Sequence, residues 1–198
     1  MQFKSNQRIA ILGRTGTGKT YFARHFFLHQ FNRLIIHDVK HELNGLKATY
    51  CHKPEDVIWC WNHNRYKIVY QPPPGINLEE DFNNLCYLIF HKANYVLWVD
   101  EVGSVTSANK IPKWFYECLR LGRGRNTGVI SLSQRPMGIH NTVLSEVDYI
   151  VSFQLHLKGD REKVAGAVGE EALKLGAIPR YHYLMYNAYE GCSWHKPI

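Results

Sequence analysis

The chain has 198 residues, of which 45% are hydrophobic and 21% charged, a balance that excludes an intrinsically disordered chain. Lys and Arg number 24 against 17 Asp and Glu, and the net charge of +7 favours a polyanionic partner without requiring one. No apolar run approaches the roughly 18 residues of a membrane-spanning helix, and the polar start Met1–Gln7 is unlike a secretory signal, so we expect neither a transmembrane segment nor secretion.

The hydrophobic pattern predicts strands that alternate with helices along the chain. Short apolar runs that end at Gly, Asp or a proline cluster predict buried strands, and apolar residues at three- and four-residue steps predict helices. The predicted strands are Arg8–Leu12, Leu34–Asp38, Arg65–Gln71, Tyr95–Val99, Gly128–Ser133 and Tyr149–Phe153. The predicted helices are Lys19–Gln30, Pro54–Asn62, Leu78–Lys92 and Lys113–Leu121. After Gly159 we expect one or two short helices and a Tyr-rich hairpin over Tyr181–Tyr189.

This alternation predicts an α/β fold with a mostly parallel sheet flanked by helices. No repeat or linker divides the chain, so we expect a single domain over 1–198, with a core over about 7–155 and C-terminal helices and a hairpin over 156–198. Ligands of such sheets bind beyond the carboxyl ends of the strands. The residues at those predicted ends are Gly13, Asp38, Gln71, Asp100 and Gln134. We therefore expect the site at that edge.

The segment Gly13–Thr20 (GRTGTGKT) matches the P-loop pattern GxxxxGK[ST] in full, between a predicted strand and a predicted helix. Glycines allow backbone angles that aim N–H groups at phosphate oxygens, and the helix N-terminus adds positive potential. The predicted nucleotide-binding residues are Gly13, Arg14, Thr15, Gly16, Thr17, Gly18, Lys19 and Thr20. In this motif Lys19 reaches the β- and γ-phosphates and the Thr20 hydroxyl binds Mg²⁺. The alternative, an ordinary Gly-rich turn, does not explain the complete match.

Two acids, Asp100 and Glu101, follow the apolar strand Tyr95–Val99. Downstream of a P-loop, Asp100 is expected to hold Mg²⁺, and Glu101 to polarise the attacking water as a general base or as its orienter. An acid pair at a strand end can also cap a helix or stay solvated. The combination with the P-loop predicts a RecA/ASCE-like P-loop NTPase that hydrolyses ATP with Mg²⁺, because a small-molecule kinase has no use for a water-activating glutamate.

The fifth predicted strand is flanked by a basic run and by a glutamine. Gln134 can hydrogen-bond the γ-phosphate and the attacking water, or it can simply belong to a turn. Arg120, Arg123 and Arg125 precede the strand in a glycine-spaced run. Such runs are usually solvated loops, but an oligomeric NTPase uses an arginine finger, often from the neighbouring subunit. We expect one of the three to serve this role, with Arg120 and Arg125 as the leading candidates.

Together, the P-loop, the VDE at the end of the fourth predicted strand and the SQRP at the end of the fifth resemble the FtsK–HerA superfamily of ring-forming DNA-pumping ATPases. Ile36–Leu43 (IHDVKHEL) also looks like the Asp-Pro-Lys…Glu-Leu segment of FtsK-type motors, with Val39 in place of the proline. The resemblance covers about residues 7–155. A bare core of this size is most like the genome-packaging ATPases of membrane-containing, double-jelly-roll icosahedral viruses.

The resemblance implies a homo-oligomeric ring, a hexamer, that hydrolyses ATP at subunit interfaces and holds double-stranded DNA in its pore. Candidate pore loops are Gly103–Lys113, which carries Lys110 and Lys113, and the turn Pro72–Ile76. A lysine-bearing polar loop is more often simply solvated. A viral packaging role places the protein in the host cytoplasm or the virion, beside a capsid or viral membrane protein.

Other features leave other functions open. The five cysteines lack CxxC spacing and indicate reduced thiols of a cytosol-like compartment; Cys51, His52, Cys60 and His63 fit no common zinc pattern. The aromatic residues of the C-terminal tail are expected to form a packed strand (Tyr181, Tyr183, Tyr186, Tyr189 and Trp194). A docking surface for a capsid or membrane protein is the alternative. Competing functions are a P-loop kinase for a small molecule, a Zot-like phage assembly ATPase, and a non-catalytic nucleotide-gated binding module.

Overall fold

A computed structural model describes residues 2–198 of the chain. Its strands are β1 (Arg8–Leu12), β2 (Leu34–His37), β3 (Thr49–Cys51), β4 (Lys67–Tyr70), β5 (Val96–Val99), β6 (Gly128–Ser133), β7 (Tyr149–Ser152), β8 (Tyr183–Asn187) and β9 (Gly191–His195). Its α-helices are α1 (Lys19–Phe27), α2 (Pro54–Asn62), α3 (Leu78–Lys92), α4 (Lys113–Leu121), α5 (Thr142–Ser145) and α6 (Lys158–Val168). Short 3₁₀ turns lie at Val102–Ser104, Gly122–Arg125, Pro136–Gly138 and Glu170–Gly176.

The nine strands form one sheet in the order β3-β4-β2-β5-β6-β1-β7-β8-β9. Strands β1 to β7 pair in parallel, and β8 and β9 continue the sheet as an antiparallel hairpin. The parallel strands therefore present their carboxyl ends at one edge, where the chain leaves β1, β5 and β6. The predicted α/β class, a mostly parallel sheet flanked by helices, is confirmed.

Apolar side chains cover both faces of the sheet. Along the central strand β1, Ile9 and Ile11 pack with Phe22 of α1 on one face, whereas Ala10 and Leu12 pack on the other face with residues of α2 to α6. All five residues of β1 are buried. This two-sided burial explains the near-continuous apolar runs of the strands. The loop that follows β1 is thus anchored on the centre of the core.

Most predicted elements coincide with the observed ones, and the differences have local causes. The predicted bounds of α2, α3 and α4 match those of the structure, whereas α1 ends at Phe27 rather than at Gln30. Strand β3 was not predicted because three residues at a sheet edge show no periodicity. The hairpin lies over Tyr183–His195; it begins two residues later than predicted, after a left-handed turn conformation at Tyr181 with φ 65°, and ends six residues later. None of the helices within residues 2–198 has the length and apolarity that a bilayer crossing requires.

Candidate nucleotide-binding site

The P-loop leaves β1 at the carboxyl edge of the sheet and enters α1 at Lys19. Backbone hydrogen bonds fix its entry on both sides. The N–H of Gly13 donates to the carbonyl of Ser133, at the end of β6, over 3.2 Å. The N–H of Arg14 donates to the carbonyl of Gln154, just past β7, over 3.1 Å. The loop is therefore held by the ends of both strands that flank β1.

Close packing at Gly13, and a positive φ at both Gly13 and Gly18, favour glycine at these two P-loop positions. A Cβ on Gly13 would lie 2.7 Å from Cβ of Phe153 and 2.9 Å from Oγ1 of Thr17, and the φ of +146° disfavours a side chain there. A Cβ on Gly18, whose φ is +109°, would lie 3.4 Å from the rings of both Phe153 and Tyr181. The loop thus packs against the strand end at Phe153 and against the C-terminal tail.

Lys19 places an ammonium group inside the loop. Its Nζ donates to the carbonyl of Gly13 over 2.6 Å and to that of Arg14 over 3.1 Å. Burial lowers the pKa of Lys19 to about 8, opposed by the nearby carboxylate of Glu101. A buried ammonium group whose observed partners are two neutral carbonyls attracts a polyanion, because an anion compensates its charge more fully than carbonyl dipoles do.

The acid pair follows β5 and faces the same edge. Asp100 is only 7% exposed, and burial raises the pKa of its carboxyl group to about 6. Within the described residues its Oδ1 is buried without a hydrogen-bond partner. The carboxylate of Glu101 contacts two neighbours: Lys40 Nζ lies 3.2 Å from its Oε2, and the N–H of Gln134 donates to its Oε1 over 3.4 Å. Glu101 therefore connects the ends of β2, β5 and β6.

Gln134 bridges this acid to the P-loop, because the Thr15 hydroxyl donates to Gln134 Oε1 over 2.8 Å. A cavity of about 330 Å³ opens over these groups. It is lined by Thr15, Gly16, Gly18, Lys19, Thr20, Tyr21, Lys40, Glu42, Asp100, Gln134, Arg180 and Tyr181. The structure thus brings the predicted phosphate-binding residues together with Asp100 and Gln134, and the hydroxyl of Thr20 and the carboxylate of Asp100 are hard oxygen donors of the kind that Mg²⁺ prefers.

The three candidate arginines lie at the opposite edge of the sheet. Arg120 is in the last turn of α4, and Arg123 and Arg125 are in the 3₁₀ turn before β6 begins. The six residues of β6 separate this run from Gln134, roughly 20 Å at the usual rise per residue. That distance is several times the length of an arginine side chain. None of the three can reach the P-loop of its own chain.

The three arginines differ in how firmly neighbouring residues hold their guanidinium groups. Arg123 pairs with Asp148, which is 8% exposed and also accepts from Arg8. Arg125 donates from Nε to the carbonyl of Phe90 over 2.6 Å. Arg120 is exposed and donates only to the Tyr116 hydroxyl, one turn earlier on the same helix, over 3.0 Å.

The two predicted pore loops lie next to each other. Lys110 Nζ forms an exposed ion pair of 2.8 Å with Glu79, in the first turn of α3 and directly after the Pro72–Ile76 turn. Lys113 begins α4, and its Nζ lies 5.1 Å from the ring centroid of Trp114. Both lysines are exposed or nearly so, outside the cavity over the P-loop.

Sequence reasoning missed part of the cavity wall and misplaced two residues. Arg180 and Tyr181 line the cavity from the tail, a segment without any motif that could have indicated it. Asp38 and Gln71 were expected to face the site, but Gln71 Nε2 donates to the buried Asp38 carboxylate over 2.9 Å. Asp38 also accepts from the backbone N–H of Leu43 over 2.9 Å. The pair therefore shapes the loop that carries Lys40.

Comparison with known proteins agrees with this geometry. No protein-family model matches the chain. The DNA packaging ATPase P9 of Enterobacteria phage PRD1 is 29% identical over 198 residues, which cover 91% of this chain and 82% of that protein. The genome packaging NTPase B204 of Sulfolobus turreted icosahedral virus 2, solved with AMPPCP, superimposes with a TM-score of 0.83 at 21% identity and covers 98% of this chain and 100% of its own. The chain is thus a homologue of a viral DNA packaging ATPase and has the fold of a packaging NTPase.

The ATPase also shares its fold with more distant proteins. The N-terminal domain of zonular occludens toxin from Neisseria meningitidis superimposes with a TM-score of 0.53 at 15% identity, over 97% of this chain and 94% of its own. The match to B204 is closer and leaves almost no residue of either chain uncovered. These structures confirm the predicted fold, and the predicted resemblance to viral packaging ATPases is confirmed by the PRD1 relative.

Proposed function

We propose that this ATPase is a double-stranded DNA translocase that packages a viral genome into its capsid. Its subunits form a homo-oligomeric ring, a hexamer, with ATP at the subunit interfaces and DNA in the pore. The observation that carries the catalytic part is the chain of contacts from Thr15 through Gln134 to Glu101, which links the phosphate loop to the hydrolytic acid. The similarity to the DNA packaging ATPase P9 of phage PRD1 supports the role in viral genome packaging.

The P-loop holds the phosphates of ATP. Its backbone N–H groups and the Lys19 ammonium bind the β- and γ-phosphates, and the buried Lys19 gains the anionic partner that favours its charged form. Thr20 and Asp100 would hold Mg²⁺. The Oδ1 of Asp100, which has no hydrogen-bond partner within residues 2–198, is suited to it, since the carboxylate is costly to bury as an unpaired anion. When bound, Mg²⁺ neutralises charge on the phosphate oxygens.

Glu101 and Gln134 act on the attacking water. Glu101 accepts a proton from the water or orients it, and the Gln134 side-chain amide positions the same water against the γ-phosphate. In the structure, Lys40 and the backbone of Gln134 occupy the oxygens of Glu101. The ion pair with Lys40 therefore restrains the carboxylate and competes with the attacking water for it.

The arginine run supports hydrolysis at a subunit interface. Since Arg120, Arg123 and Arg125 lie at the far edge of the sheet, an arginine finger from this run acts on the nucleotide of a neighbouring subunit. A ring of identical subunits, packed head to tail, brings that edge against the next P-loop. Such a ring works in the host cytoplasm and at the packaging vertex of the virion, anchored by a capsid or viral membrane protein.

The pore loops supply the DNA contacts. Lys110 and Lys113 bind phosphates of the duplex without reading its sequence, in line with the net charge of +7. The double variant Lys110→Ala with Lys113→Ala should weaken DNA binding and reduce the slope of log affinity against log salt by about 1.8, the contribution of two phosphate contacts. Basal ATP hydrolysis should not change. Unaltered DNA affinity in the double variant would remove this loop from the mechanism.

Steady-state ATP hydrolysis at high protein concentration, with and without double-stranded DNA, tests the whole proposal. We expect DNA to stimulate turnover and Glu101→Gln to abolish it while ATP still binds, because the amide cannot accept the proton of water. If the protein instead transfers phosphate to a small acceptor as a monomer, it is a kinase. If nucleotide binds without turnover even in the assembled ring, it is a binding module.

A further inference from the structure

A second cavity adjoins the one over the P-loop and has a different chemistry. It measures about 340 Å³, within the range of roughly 300–1,000 Å³ usual for small-ligand sites. It is lined by Gly18, Tyr21, Phe153, Tyr181, Pro197 and Ile198. Three of these residues, Gly18, Tyr21 and Tyr181, line the first cavity as well. The two cavities therefore adjoin, and the second is within reach of a ligand whose phosphates lie on the P-loop.

The wall of this second cavity is built around the ring of Tyr181. A Cβ on Gly18 would lie 3.4 Å from Tyr181 Cδ1, so the ring rests directly on the P-loop. Tyr181 has a φ of 65°, a conformation that favours glycine. The guanidinium carbon of Arg180 lies 4.7 Å from the centroid of the Tyr181 ring. A strained backbone of this kind persists where the surrounding structure fixes it, and such positions cluster at ligand sites. The ring is thus held in place before any ligand arrives.

The chemistry of the lining fits a flat aromatic ligand. Tyr21 and Tyr181 are 61% and 43% exposed, so two aromatic side chains face the open space beside the P-loop. Among the lining residues the only polar side-chain groups are the phenol hydroxyls, and no side-chain carboxylate or side-chain amide is present to read the edge of a base. Aromatic rings bind bases through their faces, which all bases share.

We propose that this cavity holds the nucleobase of the bound nucleotide, with Tyr181 as its stacking platform, and that it does not discriminate between ATP and GTP. This inference rests on the proposed function, because the position of the base follows from phosphates seated on the P-loop. Sites that select one base do so with polar groups that a wrong base leaves unpaired. A lining without such groups binds a purine by stacking alone. The C-terminal tail is then part of the nucleotide site.

Equilibrium binding of ATP, GTP and inorganic triphosphate to wild type, Tyr181→Gly and Tyr181→Phe tests the inference. Glycine suits the positive φ, so this variant removes the ring without adding backbone strain. We expect Tyr181→Gly to weaken ATP and GTP about tenfold, equivalent to about 1.4 kcal/mol, and to leave triphosphate binding unchanged. Tyr181→Phe should bind all three like the wild type. Tyr21→Ala provides an independent test at a second aromatic residue of the lining, with a loss of about threefold for ATP and for GTP and none for triphosphate.

Several results would overturn the inference, and each has a distinct meaning. Triphosphate binding to wild type as tightly as ATP would show that the base makes no contact. Equal losses for triphosphate and ATP in Tyr181→Gly would assign Tyr181 to the phosphate loop, and a loss in Tyr181→Phe would assign the contact to the hydroxyl. A preference of about tenfold for ATP over GTP would contradict the lack of edge recognition. If wild type binds neither ATP nor triphosphate, the phosphate site of the proposed function itself is wrong.

Discussion

Arg120 is the arginine that we expect to complete the active site of a neighbouring subunit. Arg123 is held by the buried Asp148, and Arg125 is bonded to a backbone carbonyl. The side chain of Arg120, by contrast, has within residues 2–198 a single hydrogen-bond partner, Tyr116 of its own helix. Arg120 therefore loses least when its guanidinium turns towards another chain. Removal of a trans-acting arginine lowers turnover by about 10³-fold or more. We expect this loss for Arg120→Ala, without a loss of ATP binding.

A mixing experiment can separate action in trans from action in cis. Arg120→Ala and Lys19→Ala are each inactive alone, and the two are combined in equal amounts before the ring assembles. An interface is active when the subunit with the intact P-loop meets a neighbour with the intact Arg120. Random assembly produces this arrangement at about a quarter of the interfaces, half multiplied by half, so turnover should return to about a quarter of the wild-type value.

A matched control uses two changes that fall on the same side of the interface. Glu101→Gln mixed with Lys19→Ala has no interface with an intact site, so this mixture should stay inactive. If the mixture with Arg120→Ala also stays inactive, Arg120 does not act across the interface. Arg180, which lines the cavity over the P-loop of its own chain, would then be the arginine to examine in cis.

The remaining predictions concern four single positions. His37 is fully buried, and burial lowers its pKa to about 3 from the ordinary value of 6.5. The unfolded chain therefore binds an extra proton below about pH 6.5, and the free energy of unfolding falls on acidification. Urea titrations of His37→Leu should lack about 2 kcal/mol of the fall in unfolding free energy that the wild type shows between pH 7 and pH 5. Gly13→Ala brings a Cβ within 2.9 Å of two side-chain atoms and should cost about 3 kcal/mol of stability. At Gly16 a Cβ meets nothing within 4 Å, so Gly16→Ala should cost only about 1 kcal/mol of backbone strain. Equal losses of stability in Gly13→Ala and Gly16→Ala would contradict the packing argument. Lys40→Met should raise DNA-independent turnover up to about fivefold, because the partly exposed ion pair with Glu101 restrains that carboxylate by no more than about 1 kcal/mol. A fall in turnover would show that Lys40 contacts the nucleotide directly.

Local sequence signals account for the elements that could be predicted. Helix α3 begins after Asn77, whose side chain accepts from the N–H of Glu80 over 3.3 Å, and its first turn is acidic. Helix α2 begins with Pro54, which suits the first helical position. Strand β3 has neither length nor alternation, and it exists because β4 offers it a free edge. Its position depends on tertiary pairing, which periodicity does not record.

The features of the candidate site also separate into those that the sequence predicts and those that depend on tertiary contacts. The strand-end rule places the P-loop, Asp100 and Gln134 at one edge, and the roles of these residues remain predictions. The contact between Lys40 and Glu101 depends on the path of the loop after β2, which Asp38 and its backbone partners determine. The approach of Tyr181 to the P-loop depends on how the last hairpin docks onto β7. Contacts between segments far apart in sequence leave no local pattern.

The order of the strands also has a consequence for the way nucleotide is released. Strand β1 is paired on both sides at the centre of the sheet, whereas β9 is the last strand and has a partner only in β8. Amide protons should therefore exchange slowly at β1 and fast at β9, since local opening starts where the fewest backbone bonds break. Tyr181 precedes this less protected hairpin, and Pro197 follows it. A brief opening of the hairpin would expose the base end of a nucleotide while the phosphate end stays gripped, so departure of the spent nucleotide would begin at its base.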